Sequence, residues 1–258
     1  MKLSEIIHKF ENWAPLELQE DWDNSGLQIG DPNIEVTGIV VSLDCEPPVL
    51  EHAAQQGCNL IFNHHPLIFK ALPNLDASRP LSQTVISAIR GGVAVYAAHT
   101  NLDVVPGGVN DALAEAIGYS LPKVLDDNGE GIGMGRYGDI EPISHMDLIQ
   151  KIKERMGLEQ ILFYGDPEAL TQSIAVAGGS GSYLIDQAAR KGVQTLITGD
   201  VKYHDAQYAD SLGVSLLDLG HDHSEFPVLQ KVKSFLEQIT DGEIPVEVYA
   251  IPDRRRIL

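Results

Sequence analysis

Apolar positions first recur with helical spacing. Leu3, Ile6, Ile7, Phe10 and Trp13 share one face before Ala14-Pro15 closes the segment, which predicts an amphipathic helix over residues 3–13. The pattern then changes. Gly38-Ile39-Val40-Val41-Ser42-Leu43 is a short apolar run of the kind a buried strand shows, and Pro47-Pro48 opens a helix over 47–56 that Gly57 closes. Asn59-Leu60-Ile61-Phe62 is a second run, residues 80–90 read as a helix closed by Gly91-Gly92, and Val93-Ala94-Val95-Tyr96-Ala97-Ala98 is a third strand. Strands alternating with helices predict an α/β fold with a largely parallel sheet.

The second half of the chain repeats this pattern. Ser173-Ile174-Ala175-Val176-Ala177 corresponds to the 38–42 strand, and Ala188-Ala189 with Gly192 corresponds to Ala53-Ala54 with Gly57. Thr195 to Asp200 falls where Leu60 to His65 fell, and Gly213 to Gly220 falls where Gly92 to His99 fell. The correspondence is in pattern more than identity. It predicts an internal duplication: two similar α/β lobes with mostly parallel sheets, over residues 1–125 and 126–258. Residues 120–145, Gly- and Asp-rich with the run Asn128-Gly129-Glu130-Gly131, read as the connector between them, and a helix is expected from about 144 to 156. Ile244-Pro245-Val246-Glu247-Val248-Tyr249 reads as a last, edge strand, and this C-terminal segment is a candidate to pack back on the first lobe.

Chemistry gathers where the strands stop. His64-His65-Pro66 ends the second strand, because Pro66 cannot donate a ladder hydrogen bond and biases His65 toward extended geometry. Two adjacent imidazoles on a rigid strand tip look more like metal ligands than core residues. His99-Thr100-Asn101-Leu102-Asp103 ends the third strand, and Gly220-His221-Asp222-His223-Ser224-Glu225 follows the last apolar strand of the second half. If a helix begins after Gly220, His221 and Glu225 lie four apart on one face of it. Each cluster alone has an ordinary explanation: a surface histidine, a turn or capping aspartate, a glutamate favoured by a helix dipole. Their shared place at strand ends, where open α/β sheets collect ligands, is what points to a metal site. Imidazole plus carboxylate without thiolate suits zinc, manganese, iron or nickel. Five such ligands exceed one tetrahedral zinc with an open position and suit a bridged pair of ions.

Composition narrows the partners. The 258 residues are 43% hydrophobic and 21% charged with a formal net charge of −19, which argues against sequence-independent nucleic-acid binding and against anionic membranes. No apolar stretch approaches a membrane span. The N-terminus runs straight into the amphipathic pattern rather than a signal core, so a cytoplasmic location is expected. Cys45 and Cys58, the two cysteines, read as buried structural thiols of a reducing compartment. Asp21 to Ser25 around Trp22 reads as a polar loop whose Asp and Asn residues do turn chemistry.

Taken in order, the motifs NHHPLIF (63–69), HTNLD (99–103) and GHDHSE (220–225) resemble those of the GTP cyclohydrolase 1 type 2 homologues, or Nif3-like dinuclear metal centre proteins. WDNSGLQIG (22–30), GRYGDI (135–140) and TGDVKYHDA (198–206) extend the resemblance over essentially the whole chain. The resemblance implies that His64, His65, Asp103, His221 and Glu225 hold two divalent metal ions per subunit, in the cleft between the lobes. It also implies a toroidal homohexamer with a small-molecule substrate, in the compact form without an inserted domain. His223 is not assigned to metal. The activity implied is a metal-dependent hydrolase, GTP cyclohydrolase-like on a purine nucleotide, acting through a metal-bridging water. His99 and His204 are candidates for proton transfer, or equally for orienting a ligand. Lys70 and Lys202 are positioned to meet phosphates or simply to be solvated, and no Gly-rich phosphate loop is present. Two alternatives stand beside this reading: a metal-binding assembly or adaptor protein without turnover, and a dinuclear metallophosphoesterase. The second lacks the early Asp-x-His and the Gly-Asn-His-Glu that class requires.

Overall fold

In the computed structural model, which describes residues 1–129, 131–250 and 252, helix α1 (Leu3–Glu11) precedes strand β1 (Gly26–Ile29). Strand β2 (Ile39–Ser42), helix α2 (Pro47–Gln56), strand β3 (Leu60–Asn63), helix α3 (Pro80–Gly91) and strand β4 (Ala94–Ala97) follow. The three strands β2, β3 and β4 pair in parallel, β1 lies antiparallel against β4, and every residue of the three is buried. Such runs are what a parallel sheet covered on both faces demands. Successive side chains alternate sides. Val40, Ile61 and Val95 pack with Val49, Ala53 and Val85 of the helices on one face. Phe62 and Tyr96 pack against Phe10 of α1 on the other, tilted and edge-on. Each fully buried Val, Ile or Phe here contributes about 1.5–3 kcal/mol.

After β4 come helices α4 (Thr100–Val104) and α5 (Val109–Ile117), then strand β5 (Lys123–Asp127), strand β6 (Gly133–Ser144) and helix α6 (His145–Met156). Strands β7 (Leu162–Tyr164) and β8 (Leu170–Val176), helix α7 (Ile185–Arg190), strand β9 (Thr195–Thr198), helix α8 (Tyr203–Ser211) and strand β10 (Ser215–Asp218) complete the second sheet, in the order β5-β6-β8-β9-β10-β7. The parallel trio β8-β9-β10 answers β2-β3-β4, and β7 lies antiparallel against β10 as β1 does against β4. The duplicated pattern in the sequence thus marks a duplicated topology. The likeness stops at the far edge, where β5-β6 and β6-β8 are antiparallel, so the second sheet is mixed rather than mostly parallel.

Helices α9 (His221–Glu225) and α10 (Pro227–Ile239) and strand β11 (Val246–Val248) close the chain. β11 pairs in parallel with β2 as the edge of the first sheet, and Phe235 of α10 packs edge-on against Phe10 and tilted against Trp13. Two compact units result: residues 1–102 with 229–258, and residues 103–228. The segment after β4 completes the second sheet, and the segment after β10 completes the first.

The division therefore falls just after Leu102 rather than near residue 125, and Asp103 goes with the second unit. The reason is hydrophobic: Leu113, Ala114 and Ile117 of α5 and Leu121 pack with Leu148 and Ile152 of α6 and with Ile174 and Val176 of β8.

The expected 120–145 connector is also corrected, since most of it is the β5-β6 hairpin. Its glycines are there because chains approach closely rather than because they form an open loop: a Cβ on Gly135 (φ +70) would meet Leu125 Cβ and the Val176 carbonyl at 3.0 Å. Glu130 of that stretch lies outside the described residues. Arg136 of β6 is buried, with its guanidinium 3.0 Å from Asp111 Oδ1 and its remaining N–H groups on the Gly133, Gly135, Val104 and Val105 carbonyls.

Ser144 caps α6, its Oγ accepting from the Asp147 N–H at 3.1 Å. Ser144→Ala is expected to cost about 1 kcal/mol, read as a shift in the urea midpoint. Cys45 and Cys58 are buried and unbridged, and burial pushes the Cys45 thiol up to about 12. Among the described residues no helix is long and apolar enough to cross a membrane.

Candidate metal centre

In the first unit, β3 delivers His64 and His65 from its carboxyl end. Backbone bonds from His64 N–H to the Ser42 carbonyl (3.1 Å) and from His65 N–H to the Leu43 carbonyl (2.8 Å) extend the β2-β3 pairing past the strand and fix both residues. His99 follows β4. The three rings stand 5.0, 5.2 and 5.7 Å apart, centre to centre, for the pairs 64–65, 64–99 and 65–99. One ligating atom from each lies within 4.8 Å of the others, so the trio could hold a metal ion.

The orientation of the rings is set by what Nδ1 touches. His64 Nδ1 lies 2.7 Å from the Ala98 carbonyl, His65 Nδ1 2.9 Å from Asp44 Oδ1, and His99 Nδ1 2.8 Å from Asp23 Oδ1. Carbonyls and carboxylates only accept, so each Nδ1 carries the proton and each neutral ring keeps its lone pair on Nε2. This is how metal-ligating histidines are held.

Asp23 is the most tightly held of these acceptors. Its side chain is fully buried and accepts from the Asn24 N–H (2.7 Å), the Ser25 hydroxyl (3.1 Å), the Thr100 N–H (3.1 Å) and the Thr100 hydroxyl, besides His99. Burial alone would raise its pKa, but the bonds from His99 and Thr100 outweigh it and hold the carboxyl well below the usual range.

The second unit builds its own pair. Gly220 (φ +88) turns the chain out of β10, and α9 begins at His221 as the spacing predicts. His221 Nδ1 lies 2.8 Å from Asp200 Oδ2, and His221 Nε2 lies 3.2 Å from Glu225 Oε1. With Nδ1 donating to Asp200, the Nε2 lone pair faces a buried carboxylate. Two acceptors can share that space only around a cation, a proton or a metal ion.

Glycines make the room. A Cβ on Gly179 would stand 2.3 Å from Glu225 Oε1, and one on Gly199 would stand 2.7 Å from the His221 nitrogen. Asp103 lies on α4, its carbonyl accepting from Asn110 Nδ2 at 2.8 Å, while Asn110 Oδ1 accepts from the Gly178 N–H at 3.0 Å.

Not every candidate joins these groups. His204 is exposed on α8, where its ring meets Tyr203 and its Nδ1 is 3.5 Å from Gln207 Oε1. His223 Nδ1 is 3.1 Å from the Leu219 carbonyl. Lys70 and Lys202 are exposed. Conversely, Asp23 and Asp44, which orient His99 and His65, and Gly179, which makes space for Glu225, escaped the reading of the sequence. The signal for Asp23 was its place beside Trp22 in WDNSG, which turn chemistry explained as well.

Imidazole groups gathered at strand ends, with carboxylates beside them, give this α/β chain side chains that could hold a metal ion. The chain belongs to the Duf34/NIF3 (NGG1p interacting factor 3) family, whose model matches residues 1–255. It is 34% identical over 247 residues to a Clostridium perfringens protein named GTP cyclohydrolase 1 type 2 homolog, covering 95% of this chain and 94% of that one. A Lactococcus lactis protein of the same name is 38% identical over 241 residues, covering 91% and 93%. The crystal structure of a Bacillus cereus protein related to NIF3 superposes with a TM-score of 0.94 at 25% identity, over 100% of this chain and 99% of that one.

Proposed function

We propose that this chain is a metal-dependent hydrolase in which His64, His65, Asp103, His221 and Glu225 hold two divalent ions. The observation that carries the reading is the shared posture of the histidines: His64, His65 and His221 each turn Nδ1 to an acceptor-only oxygen, which puts the lone pair of the neutral ring on Nε2. The donor set, imidazole and carboxylate without thiolate, suits zinc, manganese, iron or nickel. When bound, a pair of such ions supplies an acidified water and charge neutralisation at a developing oxyanion. His99 then takes a proton at Nε2, with Asp23 fixing its tautomer and stabilising the cation that forms. The names of the relatives point to a purine nucleotide such as GTP as substrate.

The test is elemental analysis of the purified protein beside its turnover of GTP and of a panel of phosphoesters, with Asp103→Ala in parallel. About two ions per chain and measurable hydrolysis are expected, with the variant losing at least one ion and most of the rate. Two ions without turnover of any probe would favour a metal-binding adaptor, and hydrolysis unchanged in Asp103→Ala would sink the assignment.

A further inference from the structure

Beside the histidine trio lies an aromatic pair that neither the core nor the proposed chemistry uses. Trp22 is 58% exposed and Phe69 42% exposed, yet their rings are 5.9 Å apart and both meet His99 edge-on, at 6.0 and 6.2 Å. Their two loops are tied to each other. Asn24 Nδ2 donates to the Ile68 carbonyl at 2.6 Å, the Ile68 N–H donates to Gln28 Oε1 at 3.2 Å, and Gln28 Nε2 donates to the Asn24 carbonyl at 2.7 Å. Asp23, next to Trp22, is anchored by His99 and Thr100. The rings are therefore held in place although solvent reaches them.

We propose that Trp22 and Phe69 form a seat on which the planar aromatic ring of a small ligand stacks, bringing the rest of that ligand to His99. The proposal rests on reading the adjacent histidines as a hydrolytic centre, and it adds the residues that select the substrate. Stacking on an aromatic face tolerates any base, because every base has a π-face. The alternative occupant, a second copy of the chain, fits poorly. The open parts of the two rings amount to roughly 200 Å², against the about 800 Å² per partner that a stable protein interface buries.

Calorimetric titration of the metal-replete full chain with AMP, GMP and ribose 5-phosphate tests this. Both nucleotides are expected to bind and ribose 5-phosphate to bind at least tenfold more weakly. Trp22→Ala and Phe69→Ala should each weaken AMP and GMP by roughly tenfold or more, Trp22→Phe should stay close to wild type, and the metal content of all three should be unchanged.

Trp22 and Trp13 are the two tryptophans, so quenching by AMP that disappears in Trp22→Phe would locate the ring. Equal binding of ribose 5-phosphate and the nucleotides, or nucleotide affinity untouched in Trp22→Ala, would overturn the seat. So would unaltered affinity with a changed sedimentation coefficient, which would assign the pair to contact between copies. Wild-type protein that binds AMP but retains no metal would uphold the seat while overturning the hydrolase reading.

Discussion

Asp23→Asn is expected to lower the unfolding free energy by about 3 kcal/mol at pH 7, the cost of breaking a buried charged hydrogen-bond hub. The amide keeps the shape of the carboxylate but presents N–H groups where His99 Nδ1–H and the Thr100 N–H and hydroxyl also donate. At least one of those buried donors loses its acceptor. Urea unfolding followed by tryptophan fluorescence reads the effect directly, because Trp13 and Trp22 both lie in the unit that contains Asp23.

The pH dependence has a definite sign. The folded Asp23 carboxyl is depressed below its ordinary value of 3.8, so its contribution is complete above that value and is lost as pH falls toward the depressed one. The gap between wild type and Asp23→Asn, measured in chelator so that metal release plays no part, should shrink as pH falls below about 4. A gap that stays constant down to pH 3, or widens, would show that Asp23 is not an ionised anchor.

Asp23 and the strands around it mark where sequence reading succeeds and where it stops. Strand and helix periods are local, so the buried runs of β2, β3 and β4 and the capping glycines Gly57 and Gly192, both left-handed at φ +69 and +71, were legible from neighbouring residues. The histidines at the strand ends were legible for the same reason, since a strand, a stop and a ligand-type residue follow one another in the chain. The partners of those histidines were not. Asp23 meets His99 across 76 positions and Asp44 meets His65 across 21, and nothing local distinguishes such an aspartate from a turn residue.

The β5-β6 hairpin failed for a different reason. Its glycines signal close approach to Leu125 and Val176, which in one dimension looks the same as a flexible connector. The division of the chain was hidden likewise, because α5 is amphipathic whichever core it serves. Only the packing of Leu113 and Ile117 against Leu148 and Ile174 decides it.

Gly179→Ala is expected to weaken metal binding through Glu225 without replacing any proposed ligand. Gly179 has φ +64, and the added Cβ would stand 2.3 Å from Glu225 Oε1 and 3.3 Å from His221 Cε1. Glu225 is buried on α9, so its carboxylate has little room to retreat and must leave the position it shares with His221 Nε2. Backbone strain alone costs about 1–2 kcal/mol for alanine in the left-handed region, which makes a control necessary. Gly192→Ala supplies it: the same region at φ +71, with nothing within 4 Å of its Cβ. Both variants should lose similar stability from strain, but only Gly179→Ala should bind metal about 10- to 100-fold more weakly, the usual penalty for disturbing the groups that orient a ligand. Elemental analysis after dialysis against a graded chelator would separate them. A full metal complement in Gly179→Ala would mean that Glu225 is not a ligand, and the second unit would then contribute Asp103 and His221 without it.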